Sequence, residues 1–562
     1  MAVQGEDMGP GKTKIVYATQ TQTAKRIGGE LKERLEAAGD LVVFVEIGQY
    51  RMCELSSERR IVFVCSTTGH GDVPDSMRVF WRMLSSPDLP TGCLKDVSFG
   101  VFGLGSSLYA CFNHAAKTLH ERLSQLGARP LLRCGCGDEA SPEGHHTDFE
   151  PWTKELFGVL GLEYKEPPKT VLQLTSQPPT RTVESGYWQL TLEENRRITP
   201  PSYEKDVRHV SFLTDMQYSA GDVLQLRPIN TEEDVAKILS LLGLEKESDR
   251  YIAIEGGQQS ILSEVETGMR LRDLFLRVFD IRRVPSPQFF SVLGLNSRAG
   301  LKREKLFELG ADRGQYVDYC VRPSRAALEV IEDFHDVLSI PVSRLFHVFG
   351  VIEPRMFSVS SFGDGRMTLT VEGIRYKTKI ARERLGLTYR SLRGYGEGAV
   401  FQGRVIRGGL SVEEKMDSDV VLVCTGTGIA PMRSILQYLF LHGFEKNVHL
   451  FFGFRHRESD FYYADEFEKL AEENSNFFFH PVSSRQDGVY VQERIKQEWG
   501  ALRETVLGTA SVFVCGKRRM ERETERMFSR LVSETGIDGS AYVREMKRDG
   551  RYRWEEWGSP GV

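Results

Sequence analysis

The chain has 562 residues, 40% hydrophobic and 27% charged, with a formal net charge of −5. That length exceeds what one hydrophobic core serves and predicts about three or four domains. The near balance of charge gives no case for a nucleic-acid partner, which requires a clustered basic surface. No run of 18 apolar residues occurs, so no membrane anchor is expected. Residues 1–13 lack the apolar stretch of a signal peptide, and nine scattered cysteines, an odd number, point to free thiols in a reducing cytoplasm. Cys134-Gly-Cys136 is the one close pair, and without a second pair or a histidine cluster no metal site is expected.

Gly9-Pro-Gly-Lys-Thr13 ends like a phosphate loop but carries Glu6 where the opening glycine is required, and no strand precedes it. The next segment is better built. Lys14-Ile-Val-Tyr-Ala18 reads as a strand, Thr19-Gln20-Thr21-Gln22-Thr23 as a turn, and residues 24–37 as a helix with Ile27, Leu31 and Leu35 at helical spacing. A hydroxyl-rich turn feeding a helix N-terminus binds phosphate through backbone N–H groups, threonine hydroxyls and the helix dipole. It needs no lysine, which suits a phosphomonoester such as FMN better than ATP. Two further strand-end loops follow, Thr67-Thr68-Gly69-His70 and Leu104-Gly105-Ser106-Ser107-Leu108-Tyr109-Ala110-Cys111-Phe112-Asn113. Loops at the carboxyl ends of parallel strands form the ligand crevice of a doubly wound sheet, and Tyr109 offers a stacking face.

Proline pairs bracket residues 164–183, which read as a semi-extended linker. Strand patterns resume near Tyr187-Trp-Gln-Leu-Thr-Leu192, and leucine-rich helical stretches within about 231–344 read as an insertion. Glu353-Pro-Arg-Met-Phe-Ser-Val-Ser-Ser361 then alternates Arg355, Phe357 and Val359 on one face with Met356, Ser358 and Ser360 on the other. The planar fork of Arg355 suits a pyrophosphate, Phe357 can lie against a ring system, and Ser358 can reach the ring's edge. The same pattern alone also reads as an ordinary half-buried strand ending in a serine turn.

Its company decides between the two. Gly386-Leu387-Thr388-Tyr389 is a glycine-led turn with hydroxyls. Asp419-Val-Val-Leu-Val-Cys424 runs into Thr425-Gly-Thr427-Gly-Ile-Ala-Pro431-Met-Arg433, a phosphate cradle feeding a helix. Arg455 closes another strand, and Ser484, Arg485, Tyr490 and Gln492 supply the cations and donors that a ribose 2′-phosphate needs, where an NAD site would place a carboxylate. Cys515 ends the last core strand, and Arg551-Tyr-Arg-Trp-Glu-Glu-Trp557 closes the aromatic-rich C-terminal segment.

Taken together, these motifs resemble the diflavin reductases, in which a flavodoxin-like domain precedes a half of the ferredoxin-NADP reductase type. Thr67-Thr-Gly-His-Gly-Asp-Val-Pro-Asp75 is more similar to the cytosolic NADPH-dependent diflavin oxidoreductases than to the cytochrome P450 reductases. The resemblance implies an α/β multidomain fold: a flavodoxin-like doubly wound parallel sheet over 12–163, the linker 164–183, an FAD-binding β-barrel with its helical insertion over 184–410, and a Rossmann-like NADP domain over 411–562. It implies FMN at Thr19, Gln20, Thr21, Gln22, Thr23, Ala24, at the two loops from Thr67 to His70 and from Leu104 to Asn113, and near Glu139. FAD is implied at Arg325, Arg355, Met356, Phe357, Ser358, Gly386, Leu387, Thr388 and Tyr389, with Trp557 covering its ring and Trp554 the rival for that place. NADPH is implied at Thr427, Arg455, Ser484, Arg485, Gly488, Val489, Tyr490, Val491 and Gln492. Ser358, Cys515, Glu555 and Trp557 are the implied catalytic groups.

This sequence also departs from the family pattern: Gln22 replaces a glycine, Thr68 a stacking tyrosine, Gly488 a lysine, and Tyr389 is bulkier than the usual serine or threonine. His70 is read as a solvated loop residue. The implied reaction is a relay in which hydride passes from NADPH to FAD and single electrons leave through FMN. The implied partner is an iron–sulfur acceptor of the anamorsin type in cytosolic iron–sulfur cluster assembly. The alternatives are a soluble reductase for a haem protein or sulfite reductase subunit and, in another class, a redox-inactive scaffold, which Gln22 and Gly488 keep open.

Overall fold

The computed structural model describes residues 12–19, 23–67, 71–107, 111–139, 141, 144–165, 171–178, 186–255, 265–266, 268–363, 365–378, 382–412 and 417–556. Gln20, Thr21, Gln22, Thr68, Gly69, His70, Leu108, Tyr109, Ala110 and Trp557 therefore lie outside the described residues. The chain divides into two compact units. One comprises Met1–Ser185, Glu232–Glu353 and Lys377–Arg382, and the other Gly186–Thr231, Pro354–Tyr376 and Glu383–Val562.

In the first unit, strand Lys12–Ala18 lies between Leu41–Glu46 and Arg60–Ser66, followed by Ser98–Gly105, which pairs with both Arg129–Pro130 and Gly135–Asp138. Every pairing is parallel. Alternation along the strands divides the core between two faces. Ile15, Tyr17, Val62 and Val64 pack with Ile27, Leu31 and Leu35 of helix Thr23–Ala37. Val16, Ile61, Phe63 and Val101 pack instead with Ala116, Leu119 and Leu123 of helix His114–Gln125. Burial on both faces explains why these strands read as nearly continuous apolar runs. Thr19, Thr67 and Ser106 follow directly on the carboxyl ends of parallel strands of this sheet.

The insertion is helical, with Glu232–Leu241, Pro287–Leu295, Leu301–Ala311 and Ala327–Phe334 as its main pieces. The stretch read as a semi-extended linker contains a strand, Val171–Thr175, which pairs antiparallel with Tyr251–Glu255. Only the distant partner strand makes that segment regular, so its own sequence carries no sign of it.

The second unit holds two sheets. The antiparallel one runs in the order Arg355–Ser358, Val223–Arg227, Val400–Ile406, Trp188–Arg197, Val207–Leu213, Arg366–Glu372. An isolated bridge, Val359 against Leu369, links the two edges of this six-stranded sheet. The parallel one runs Phe477–Ser483, Val448–Phe454, Val420–Thr425, Ser511–Gly516, Tyr552–Glu556. Val207, Ala220, Leu410 and Val412 of the antiparallel part share a core with Val420, Leu422 and Ile435 of the parallel part, so the two sheets form one body. At the joint Gly221 has a φ of +83° and donates its N–H to Ser434 Oγ at 3.1 Å.

Candidate cofactor sites

The first candidate site is built at the strand ends of the parallel sheet in the first unit. Thr67 donates its N–H to the Leu104 carbonyl at 2.9 Å, tying two of the expected loops together, and Glu139 N–H donates to the Gly105 carbonyl at 2.9 Å. Ser107 N–H donates to Asp138 Oδ1 at 2.9 Å. A Cβ on Gly71 would stand 2.8 Å from Cys111 Cβ, so the loops after the second and third of these strand ends touch. Asn113 is buried in a left-handed conformation, with φ of 52°, and donates from Nδ2 to the Gly137 carbonyl at 3.1 Å. It braces the loop from beneath, over Gly103 and Gly105.

Two hydroxyl oxygens here, Thr19 Oγ1 and Thr67 Oγ1, are buried with no hydrogen-bond partner among the described residues. An unpaired buried hydroxyl costs about 1–3 kcal/mol, and a phosphate or ribityl oxygen would satisfy both. The residues present therefore fit FMN. Glu139 pairs with Arg283 of the insertion, Nη2 to Oε1 at 3.6 Å. A hollow of about 600 Å³ around Lys12, Asp40 and Leu41 opens at the amino ends of the strands, away from this chemistry.

In the second unit, strand Arg355–Ser358 pairs antiparallel with Val223–Arg227, setting Ser358 opposite Val223 and Arg355 opposite Leu226. Arg355 and Met356 are exposed, and Phe357 packs against the core of its own sheet. Ser358 Oγ donates to Glu555 Oε2 at 3.1 Å. Glu555 lies opposite Cys515 in the pairing of the last two parallel strands. Residues far apart in sequence thus meet from two different sheets. Burial pushes the Glu555 carboxyl up to about 7, with the Asp222 charge adding to it, although Ser358 and the Gly409 backbone hydrogen-bond the carboxylate. Burial likewise holds the Cys515 thiol well above its ordinary range. A buried thiol with a high pKa stays protonated, so Cys515 is no thiolate at neutral pH.

Gly386 starts helix Leu387–Gly394, and Thr388 in its first turn is buried with Oγ1 unpartnered among the described residues. Tyr389 is turned the other way: its ring covers Gly373, where a Cβ would stand 2.5 Å from Cε2, and its hydroxyl donates to Asp206 Oδ2 at 2.6 Å. Its bulk fills the space above a glycine. These groups fit FAD. Arg325, in the first unit, is engaged locally by Asp333, Nη1 to Oδ2 at 2.5 Å, and lies over the Tyr319 ring. Trp554 sits on strand Tyr552–Glu556 and is 40% exposed.

The glycine cradle opens with Gly426 at φ of 55°, and helix Ile429–Leu441 follows with Pro431 in its first turn. Arg433 from that helix donates to the Ser360 carbonyl at 2.7 Å and to Glu466 Oε2 at 2.7 Å, which fixes the cradle against the strand carrying Ser358. Thr427 is half-buried at the turn. Arg455 and Arg485 line one cavity of about 530 Å³ with Tyr203, Glu204, His456, Glu458 and Ser459. Ser484 holds the Phe454 carbonyl through both N–H (2.9 Å) and hydroxyl (3.1 Å). Gly488 has a φ of 67°, a conformation that penalises any side chain, and a Cβ there would point into open space. Tyr490 is exposed at the start of helix Val491–Gln497, Val489 and Val491 flank it within the sheet's core cluster, and Gln492 reaches Glu523 at 3.5 Å. Three candidate sites thus draw on strand ends and glycine turns, and the one around Arg455 and Arg485 holds a cavity of about 530 Å³.

Residues 15–152 match the Flavodoxin family, residues 182–388 the FAD binding domain and residues 422–526 the Oxidoreductase NAD-binding domain. The chain is 32% identical to NADPH-dependent diflavin oxidoreductase 1 of Danio rerio, over 97% of this chain and 99% of that protein. It is 32% identical to the Bos taurus protein of the same name and 29% to that of Schizosaccharomyces pombe, each with the same coverage. The chain belongs to the NADPH-dependent diflavin oxidoreductase family.

It is therefore an oxidoreductase of the FMN, FAD and NADPH type, and a diflavin reductase implies an electron-accepting partner. Among the described residues no helix is long and apolar enough to cross a membrane. Reading the sequence passed over two residues that this diflavin oxidoreductase places at its sites. Asp460 accepts the N–H groups of both Arg455 and His456, at 3.0 and 2.7 Å, and shapes the turn that carries Arg455. Its position five residues after Arg455 was the available signal. Glu204 had none, because it reaches Arg455 from 251 residues away.

Proposed function

We propose that this diflavin oxidoreductase works in the cytoplasm, delivering electrons from NADPH to an iron–sulfur acceptor of the anamorsin type in cytosolic iron–sulfur cluster assembly. The observation that carries the redox reading is the Ser358–Glu555 hydrogen bond of 3.1 Å beside Cys515, a proton-holding group next to a nucleotide cradle. Bound flavins supply the conversion of a two-electron hydride input into one-electron output. The chain's own groups do the rest. Thr19 and Thr67 offer unpaired hydroxyls to FMN, with the loops from Leu104 to Asn113 and Glu139 around it. Arg355 and Thr388 would hold the FAD pyrophosphate and Ser358 would reach the edge of its ring, with Trp557 the aromatic that would cover it. Arg455, Arg485 and Tyr490 engage NADPH. Glu555 would hold or release a proton through Ser358, and Cys515 would lie beside the nicotinamide. The domain limits 12–163, 184–410 and 411–562 belong to the same reading.

The acceptor rests on likeness to proteins named NADPH-dependent diflavin oxidoreductase 1 over nearly the full length. The test is direct. With both flavins loaded and NADPH in excess, an anamorsin-type protein is expected to be reduced within seconds at equimolar concentration. Rapid reduction of a cytochrome P450 or a sulfite reductase subunit, with the iron–sulfur protein left oxidised, refutes the assignment.

A further inference from the structure

Arg455 is already occupied. Its Nη1 donates to Glu204 Oε1 at 2.5 Å, and Glu204 comes from the connection between strands Trp188–Arg197 and Val207–Leu213 of the antiparallel sheet. The neighbouring Tyr203 hydroxyl donates to Asp460 Oδ2 at 3.0 Å, the carboxylate that shapes the turn carrying Arg455. The connection thus holds the turn by two clasps, one between hydroxyl and carboxylate and one a true ion pair. Tyr203 and Glu204 line the cavity of about 530 Å³ that Arg455 shares with Arg485. The other acid there, Glu458, is turned to Gln486 at 3.2 Å. Glu204 and, more weakly, Tyr203 hold the Arg455 guanidinium above its ordinary range against the pull of burial.

A phosphate entering this cavity requires the same guanidinium fork and brings negative charge to the place the carboxylate occupies. Both anions cannot hold Arg455 together. We propose that Glu204 is an affinity-setting residue for the dinucleotide: it is a built-in counter-ion of Arg455 that cofactor phosphate must displace and that recaptures the arginine when the oxidised product leaves. This rests on the reading of Arg455 and Arg485 as residues that face the cofactor. The exchange lowers affinity for the phosphate-bearing ligand and shortens its residence. Because both partners are partly exposed, the effect is modest and sensitive to salt.

The test uses the full chain loaded with both flavins and 2′,5′-ADP as the probe, with calorimetry at about 50 mM and about 500 mM salt. Glu204→Gln is expected to bind the probe about three- to tenfold more tightly at low salt, with the gain shrinking at high salt. Its KM for NADPH, with ferricyanide as acceptor, is expected to fall by the same factor. Tyr203→Phe loosens the other clasp without changing charge and is expected to leave probe affinity within about twofold of the parent. An unchanged or weaker affinity in Glu204→Gln overturns the proposal, as does an equal gain in Tyr203→Phe, which would trace the effect to a loosened loop. Arg455→Ala and Arg485→Ala separate the two levels. If neither weakens the probe, the cofactor-facing reading itself fails, whatever Glu204 does.

Discussion

Replacing Glu555 with glutamine keeps an acceptor for Ser358 Oγ, now 3.1 Å away, while removing the group that titrates. In the parent, burial moves this carboxyl from an ordinary 4.5 to about 7. At about 1.36 kcal/mol per unit, that displacement corresponds to at most about 3.4 kcal/mol. The sign follows from proton count. Between pH 4.5 and 7 the folded chain retains a proton that the unfolded chain has lost, so stability falls as pH rises through that window and the full cost is present above 7. Glu555→Gln is therefore expected to match the parent near pH 4 and to exceed it by about 1–3 kcal/mol at pH 8, read by urea unfolding. The chemistry should move the opposite way. Stopped-flow reduction of the bound FAD by NADPH is expected to show an inflection near pH 7 in the parent, and to lose both the inflection and about 10²-fold in rate in the variant. If the variant keeps the inflection, or gains no stability at pH 8, Glu555 is not the proton-holding group.

Thr19→Val and Thr388→Val each remove one unpartnered buried hydroxyl, the first from the candidate FMN site and the second from the candidate FAD site. The first is expected to weaken FMN alone and the second FAD alone, each by about 5–100-fold in Kd, and equal flavin contents in parent and variants would refute both placements. Gly221→Ala forces a side chain into a φ of +83° with its Cβ 2.3 Å from the Leu410 carbonyl, and should cost about 3 kcal/mol or more in urea unfolding. His449 and His480 stack in the parallel sheet with Nδ1 and Nε2 3.2 Å apart, and burial lowers each from 6.5 to about 4. The unfolded chain takes up these protons first as pH falls, so the stability they leave intact above pH 6.5 is lost progressively toward pH 4. His480→Phe, stacking as Phe451 and Phe478 already do, should flatten that decline, and an unaltered acid profile would count against it.

What could be read from the sequence is what the chain builds from neighbours in sequence. The alternation Ile15, Val16, Tyr17, Ala18 and the cradle from Gly426 are each finished within one strand, one turn and one helix, so spacing exposes them. Features completed by a distant residue could not be read. Strand Val171–Thr175 exists because Tyr251–Glu255 pairs with it. Tyr389 looked too large for a pyrophosphate turn only because nothing local announced Gly373 beneath its ring or Asp206 at its hydroxyl. Gly488 read as a missing lysine, whereas its φ of 67° makes it first of all a backbone requirement.

The proposed reaction site is likewise completed by distant residues, and that is its weak point. Ser358 is carried by the antiparallel sheet, Cys515 and Glu555 by the parallel one, and no local segment holds them 3.1 Å apart. What holds them is the joint: the core that Val207, Ala220, Leu410 and Val412 share with Leu422 and Ile435, the Gly221 N–H on Ser434, and Arg433 reaching the Ser360 carbonyl at 2.7 Å. A shift of an ångström between the sheets breaks the Ser358–Glu555 hydrogen bond, since such bonds weaken steeply beyond about 3.5 Å. Substitutions at the joint, which touch no cofactor, should therefore act on hydride transfer before they act on flavin content. A joint variant that retains both flavins but is reduced slowly by NADPH would display that coupling, and one that loses flavin first would show that the sheets hold their ligands independently.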